Sequence, residues 1–338
     1  MRFITAGLCL LVVVFSGFCL VPHVRAATGT EVPIHLYWKY LVVVQGSLGG
    51  IAKRNFIIDT GSNPSVVDRR IVRKLRLAEH SSKLHLLGGD TDSATAVLPE
   101  VQLGPISRTS VPMTVQDLSF LERDLGVRVD ALIGLDVLGQ GSFGIDYSAR
   151  KMSFESIEYP TGEATFSSGP PFVTVEMQIE DRPVRLLVDT GAAGLILFKS
   201  RVGNTLREIA GAAAAGSKDL AGQMTMRQIQ IASTRLGNRN LGARNAFLAD
   251  DHGGGAGFDG LMGIVPLRVQ RISFDFEHRL FRWQAQDSKV PNRAEADPAA
   301  CQRAGLGGAM SSNPASFPRP VDADDFGCEV RSGPVSVQ

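Results

Sequence analysis

The chain has 338 residues, 44% hydrophobic and only 20% charged, with 36 glycines. That is enough material for more than one core, and the mix favours a turn-rich β protein over a helical bundle. Thirty-five basic residues against 34 acidic ones, formally +1, leave no overall field suited to nucleic acid or to an anionic membrane surface.

In chain order, the first feature is a targeting segment. Arg2 precedes an apolar stretch from Phe3 to Val21, and Val24-Arg25-Ala26-Ala27 follows as a small-residue cleavage pattern. Residues 1–26 therefore read as a secretory signal, which predicts an exported protein, periplasmic or secreted. Left uncleaved, the same stretch is long enough to anchor the chain in a membrane. Cys9 and Cys19 would leave with the signal. Cys301 and Cys328 remain and could pair in an oxidising compartment.

Short β-branched and aromatic runs punctuated by turn residues predict strands at 36–44, 51–58, 94–103, 110–115 and 143–154. A second series follows at 172–179, 184–188, 224–231 and 272–283. One helix is expected in each series. Val66–Leu77 has apolar residues at 67, 71, 72 and 75, and Phe198–Ala214 ends in an alanine-rich run. The stretch 158–171, rich in Pro and Gly, reads as a linker, and residues 288–338 read as a poorly ordered Pro/Gly/Ala-rich tail.

The two series are copies. Phe56-Ile57-Ile58-Asp59-Thr60-Gly61-Ser62 returns as Leu186-Leu187-Val188-Asp189-Thr190-Gly191-Ala192, 130 residues on. Val129-Asp130-Ala131-Leu132-Ile133-Gly134 returns as Phe258-Asp259-Gly260-Leu261-Met262-Gly263, and the segments ending in Phe154 and Trp283 match at the same 129-residue offset. A period this long means two similar domains rather than a solenoid. The expected organisation is an N-terminal lobe over 27–160 and a C-terminal lobe over 161–287.

An aspartate after a buried strand, followed by Thr-Gly, lies in a tight turn with backbone amides near its carboxylate. If the lobes face each other, Asp59 and Asp189 meet. Two carboxylates in contact cannot both ionise easily, so one proton is shared and their pKa values split. The ionised member can take a proton from water while the protonated member donates to a carbonyl. This chemistry calls for no cofactor and no metal.

These residues resemble the pepsin and retropepsin-like aspartic peptidases, most closely bacterial relatives with two retropepsin-type lobes in one chain. The resemblance covers roughly residues 31–286. It implies an all-β fold of two tandem β-barrel lobes with a cleft between them, and an aspartic endopeptidase acting on polypeptide as a monomer. It implies Asp59 and Asp189 as the catalytic pair, supported by Thr60, Gly61, Ser62, Thr190, Gly191 and Ala192. The triplets Leu132-Ile133-Gly134 and Leu261-Met262-Gly263 would pack behind the two loops. The chain departs from the pepsin pattern in having no tyrosine in the expected flap. The flap candidate is instead Leu86-Leu87-Gly88-Gly89-Asp90-Thr91, with Gly88 and Gly89 as substrate-binding positions, and its counterpart lies near Leu220-Ala221-Gly222-Gln223.

Other motifs have plainer readings. Two Gly-x-Gly-x-x-Gly strings, starting at Gly139 and Gly255, precede strand-like segments instead of helices, so both read as turns. Asp325-Phe326-Gly327 lies in the tail without the other kinase motifs. No pair among the six histidines has metal-ligand spacing. The basic residues Arg69, Arg70, Arg73, Lys74 and Arg76 read as a solvated helix face, and Trp283 as core. The competing functional reading is an exported, non-catalytic peptide-binding or scaffold protein of the same shape.

Overall fold

The computed structural model describes residues 30–86, 89–156, 158, 160–169, 172–203, 215–219, 222–250 and 257–286. The signal, the tail with Cys301 and Cys328, Leu87, Gly88, Leu220, Ala221 and the alanine-rich half of the second helix lie outside these residues.

The first lobe runs β1 (Glu31–Tyr37), β2 (Leu41–Leu48), β3 (Ile51–Ile58), β4 (Val66–Asp68), α1 (Arg69–Leu75), β5 (His80–Leu86), β6 (Gly89–Leu103), β7 (Ile106–Gln116), α2 (Ser119–Leu125), β8 (Ala131–Ile133), α3 (Leu135–Leu138), β9 (Phe143–Asp146) and β10 (Lys151–Ser153). The second runs β11 (Gly162–Gly169), β12 (Phe172–Ile179), β13 (Arg182–Val188), β14 (Leu195–Phe198), α4 (Lys199–Val202), β15 (Ala215–Asp219), β16 (Gly222–Ile231), β17 (Thr234–Leu236), β18 (Arg239–Asn240), β19 (Arg244–Ala249), β20 (Gly260–Met262), β21 (Val269–Asp275) and β22 (Leu280–Ala285).

The fold is all-β, and the pairings repeat. β3 runs parallel to β8 with Ile57 opposite Leu132, β8 runs antiparallel to β4, and β4 runs parallel to β7. In the second lobe β13 runs parallel to β20 with Leu187 opposite Leu261, β20 antiparallel to β14, and β14 parallel to β19. In each lobe a three-residue strand is thus wedged between the strand that precedes the Asp-Thr-Gly loop and the strand that follows it. The loop has to arch over that wedge.

The lobes are joined by a six-stranded antiparallel sheet in the order β1, β10, β9, β21, β22, β11. At its centre Ile145 of one copy faces Ile272 of the other. Phe143 and Phe274 stack there with ring centroids 4.8 Å apart, and Trp283 is buried as expected. Each such ring contributes roughly 1.5–3 kcal/mol by leaving water. The main core is continuous through this sheet, and each lobe carries a smaller apolar cluster on the other face of its loop-bearing strands, around Ile57 and Leu132 or Leu187 and Leu261.

Several local expectations need correction. The strand expected at 36–44 is broken by a reversal at Trp38 and Lys39, whose φ values are 48° and 67°. The runs 143–154 and 272–283 are hairpins, each turning through an arginine with positive φ (Arg150, 52°; Arg279, 58°). The expected linker contains β11, which pairs with β22 and β12. The helix expected from Val66 begins only at Arg69, because Val66–Asp68 pairs as β4, and Asp68 caps the helix by accepting from the Arg70 amide. The first lobe also has α2 and α3. The basic face is not wholly solvated, since Arg70 pairs with Asp68 and Glu122.

Candidate active site

Asp59 and Asp189 follow directly on β3 and β13. Each is tied down by its amide, which donates to the last carbonyl of the wedge strand: Asp59 N to Ile133 O at 3.0 Å and Asp189 N to Met262 O at 3.0 Å. One residue on, the lobes interlock. Thr60 Oγ1 donates to Val188 O at 2.7 Å and accepts from the Thr190 amide at 3.0 Å. Thr190 Oγ1 donates to Ile58 O at 2.8 Å and accepts from the Thr60 amide at 3.1 Å. Both threonines are fully buried. All four bonds cross between lobes, so the two loops are registered against each other to within a hydrogen bond's tolerance.

The interlock brings the carboxyl groups of Asp59 and Asp189 together, within hydrogen-bonding reach of each other. Both residues are half-buried, ringed by protein yet within reach of solvent. Gly61 N donates to Asp59 Oδ1 at 3.0 Å and Gly191 N to Asp189 Oδ1 at 2.8 Å. A Cβ at Gly61 would lie 2.6 Å from Asp189 Cγ, and one at Gly191 would lie 2.9 Å from Asp59 Oδ1. Each glycine is therefore required by the carboxylate of the other lobe. Gly134 and Gly263 are closed in from behind, since a Cβ there would collide with the carbonyls of Ser62 and Ala192. The duplicated triplets thus pack against the loops.

The copies differ in how they treat their carboxylates. Ser62 Oγ donates to Asp59 Oδ2 at 3.1 Å, whereas Ala192 has no hydroxyl to offer Asp189. Loss of water raises the proton affinity of both groups. At Asp59 this is opposed by hydrogen bonding to the Ser62 hydroxyl, the Asp189 carboxyl and the Gly61 amide. At Asp189 it is reinforced by the negative charge of Asp59, and the carboxyl is held well above its ordinary range. Both carboxyls therefore hold a proton more readily than an ordinary carboxylate, and the two titrate as a coupled pair whose unequal surroundings favour the proton on Asp189.

Of the flap positions, Gly89 opens β6 opposite Leu86, and Gly88 lies outside the described residues. The β5–β6 hairpin has its counterpart in β15–β16, where Asp219 faces Gly222. Sequence reasoning missed a support for the first loop. Ser65 Oγ donates to Asp136 Oδ1 at 2.5 Å and accepts from the Gly134 amide at 2.9 Å, and the Ser65 amide donates to Asp136 Oδ2 at 3.0 Å. The matching positions in the second copy are Leu195 and Val265, so a search for repeats could not reveal it.

A profile of the family described as aspartyl protease matches residues 44–137 and again residues 175–264, more than half of the chain. The chain belongs to the aspartyl protease family. Each match spans one Asp-Thr-Gly loop and the triplet behind it, so the duplication read from the sequence is a duplication of the family's unit. The fold is that of a retropepsin-like aspartic peptidase with two lobes. No curated protein matches the chain.

Proposed function

We propose that this aspartyl protease family member is an endopeptidase that hydrolyses peptide bonds with a water activated between Asp59 and Asp189. The observation that carries this reading is the meeting of two half-buried carboxyls, one from each lobe, each with its proton affinity raised by the surroundings. Asp59, as the anion, takes a proton from the water as its oxygen bonds to the substrate's carbonyl carbon. Asp189 gives its proton to the carbonyl oxygen, producing a neutral gem-diol. Asp59 then returns its proton to the amide nitrogen while Asp189 takes one from a gem-diol hydroxyl, so the C–N bond breaks to give a carboxylic acid and an amine and the pair ends with one proton on Asp189 as it began.

Because both half-sites lie on one chain, a monomer holds the complete pair. Residues 1–26 are proposed as a secretory signal, which makes the enzyme an exported one.

The test is cleavage of a denatured protein and of a peptide library between pH 3 and 7 by wild type, Asp59→Asn and Asp189→Asn. Each substitution is expected to lower the rate about a thousandfold or more, since it removes either the base or the shared proton. Equal rates for all three proteins would end the peptidase reading. A silent wild type that still binds a statine-containing peptide would instead favour the non-catalytic, peptide-binding protein.

A further inference from the structure

Tyr40 is a polar group beside the dyad that the chemistry above leaves unused. In the β2–β3 ladder Val43 faces Ile57 and Val44 faces Phe56. Continued to the strand ends, the same register sets Leu41 across from Asp59 and Tyr40 across from Thr60. The β1–β2 turn thus lies at the same end of the ladder as the Asp-Thr-Gly loop. The Tyr40 ring packs on the cluster that contains Ile57 and Leu132, and Trp38 stands beside it at 6.4 Å between centroids.

The turn is an unusual one. Trp38 and Lys39 both take positive φ, a conformation that bulky side chains adopt only at a cost, and the Tyr40 amide closes it on Tyr37 O at 3.2 Å. Burial first, and then the Asp189 carboxyl, ionised at the high pH where a phenol titrates, push the Tyr40 phenol up to about 12, so it stays a neutral donor throughout the acid and neutral range. Its hydroxyl takes no hydrogen bond from or to the other described residues. In the second lobe Thr174 faces Leu187, so by sequence the position matching Tyr40 is Pro171, which has neither a hydroxyl nor an N–H and lies outside the described residues.

We propose that Tyr40 is a substrate-binding residue, donating its phenolic proton to a backbone carbonyl of the bound polypeptide beside the dyad, on one side of the cleft only. This rests on the peptidase reading for its substrate. An extended peptide presents such carbonyls at regular intervals, and a fixed neutral donor binds them alike in the ground and transition states.

The experiment compares wild type with Tyr40→Phe, which keeps the ring and removes only the hydroxyl. On a peptide that wild type cuts, KM should rise about tenfold with kcat within about twofold, and calorimetry should show a statine-containing peptide binding about tenfold more weakly. Wild-type KM and wild-type affinity in Tyr40→Phe would overturn the proposal, as would a loss confined to kcat. Failure of the peptidase reading looks different, because wild type itself would then match Asp59→Asn, and the affinity measurement would still read the role of Tyr40. If Tyr40→Phe does not fold, wild type labelled with 3-fluorotyrosine is titrated with the statine peptide. Among its four tyrosine signals one should shift, and an unmoved spectrum overturns the proposal.

Discussion

Replacing Thr60 by valine changes one buried hydroxyl into a methyl group of nearly the same size, and the consequence can be worked out from four atoms. Thr60 Oγ1 satisfies Val188 O at 2.7 Å and the Thr190 amide at 3.0 Å, in surroundings with no exposure to water. Valine leaves both backbone groups unpaired. Each costs about 1–3 kcal/mol, and the added methyl recovers roughly 0.8 kcal/mol, so the net loss should be about 1–5 kcal/mol. Against a total stability on the order of 5–15 kcal/mol this is large. Thr60→Ser keeps the oxygen and should cost about 1 kcal/mol or less. The assay is urea unfolding of the whole protein, followed by tryptophan fluorescence and circular dichroism. Of the two tryptophans, Trp283 is buried in the joining sheet and reports separation of the lobes. If Thr60→Val unfolds within about 0.5 kcal/mol of wild type, or if serine is as harmful as valine, the hydroxyl bridge is not what registers the two loops.

Three further outcomes follow from the same geometry. Gly61→Ala places a carbon 2.6 Å from Asp189 Cγ, so it should abolish cleavage of a peptide that wild type cuts even where circular dichroism shows a folded protein. Ser62→Ala removes the donor at 3.1 Å that favours the Asp59 anion, so the acid limb of the pH–rate profile should move to higher pH. Ala192→Ser should move the alkaline limb down, and profiles superimposable on wild type would count against unequal carboxyls. Asp189 has a raised native pKa, so the folded protein holds a proton that the unfolded chain gives up near the ordinary carboxylate value of 3.8. Stability must then fall as pH rises from that value through the native pKa, and Asp189→Asn should become progressively more stable than wild type over that window. Parallel urea midpoints across pH 3–8 would refute it.

Which parts of this were legible in the sequence follows from what each part rests on. The Asp-Thr-Gly loops and their triplets depend on local residue types, and duplication wrote them twice, so their spacing was visible. Ile51–Ile58 and Phe172–Ile179 were readable to the residue because turns bound them on both sides. The reversal at Trp38-Lys39 was hidden, because neither residue belongs to the usual turn formers and the turn is set by the pairing of β1 with β2 on either side, Tyr37 facing Leu41. β11 was hidden for the opposite reason: its Gly- and Ser-rich run looks like a linker, and it becomes a strand only because β22 and β12 flank it. Contacts across long separations left no local trace. Asp136 reaches Ser65 over 71 residues in a lobe whose copy carries leucine and valine instead.

That last asymmetry bears on the chemistry. A perfectly repeated pair of loops would give two equivalent carboxyls, with the shared proton divided evenly and neither residue assigned as base. Here the frame is repeated, down to the paired amide bonds of Asp59 and Asp189 and the reciprocal threonines, while the polar groups around it are not. The first loop has the Ser62 hydroxyl on its carboxylate and the Ser65–Asp136 pair beneath it. The second has alanine, leucine and valine at the same places. The Ser62 hydroxyl, which the second loop lacks, favours charge on Asp59 and leaves the proton to Asp189. Duplication accounts for the meeting of two carboxyls, and divergence between the copies gives each its own role.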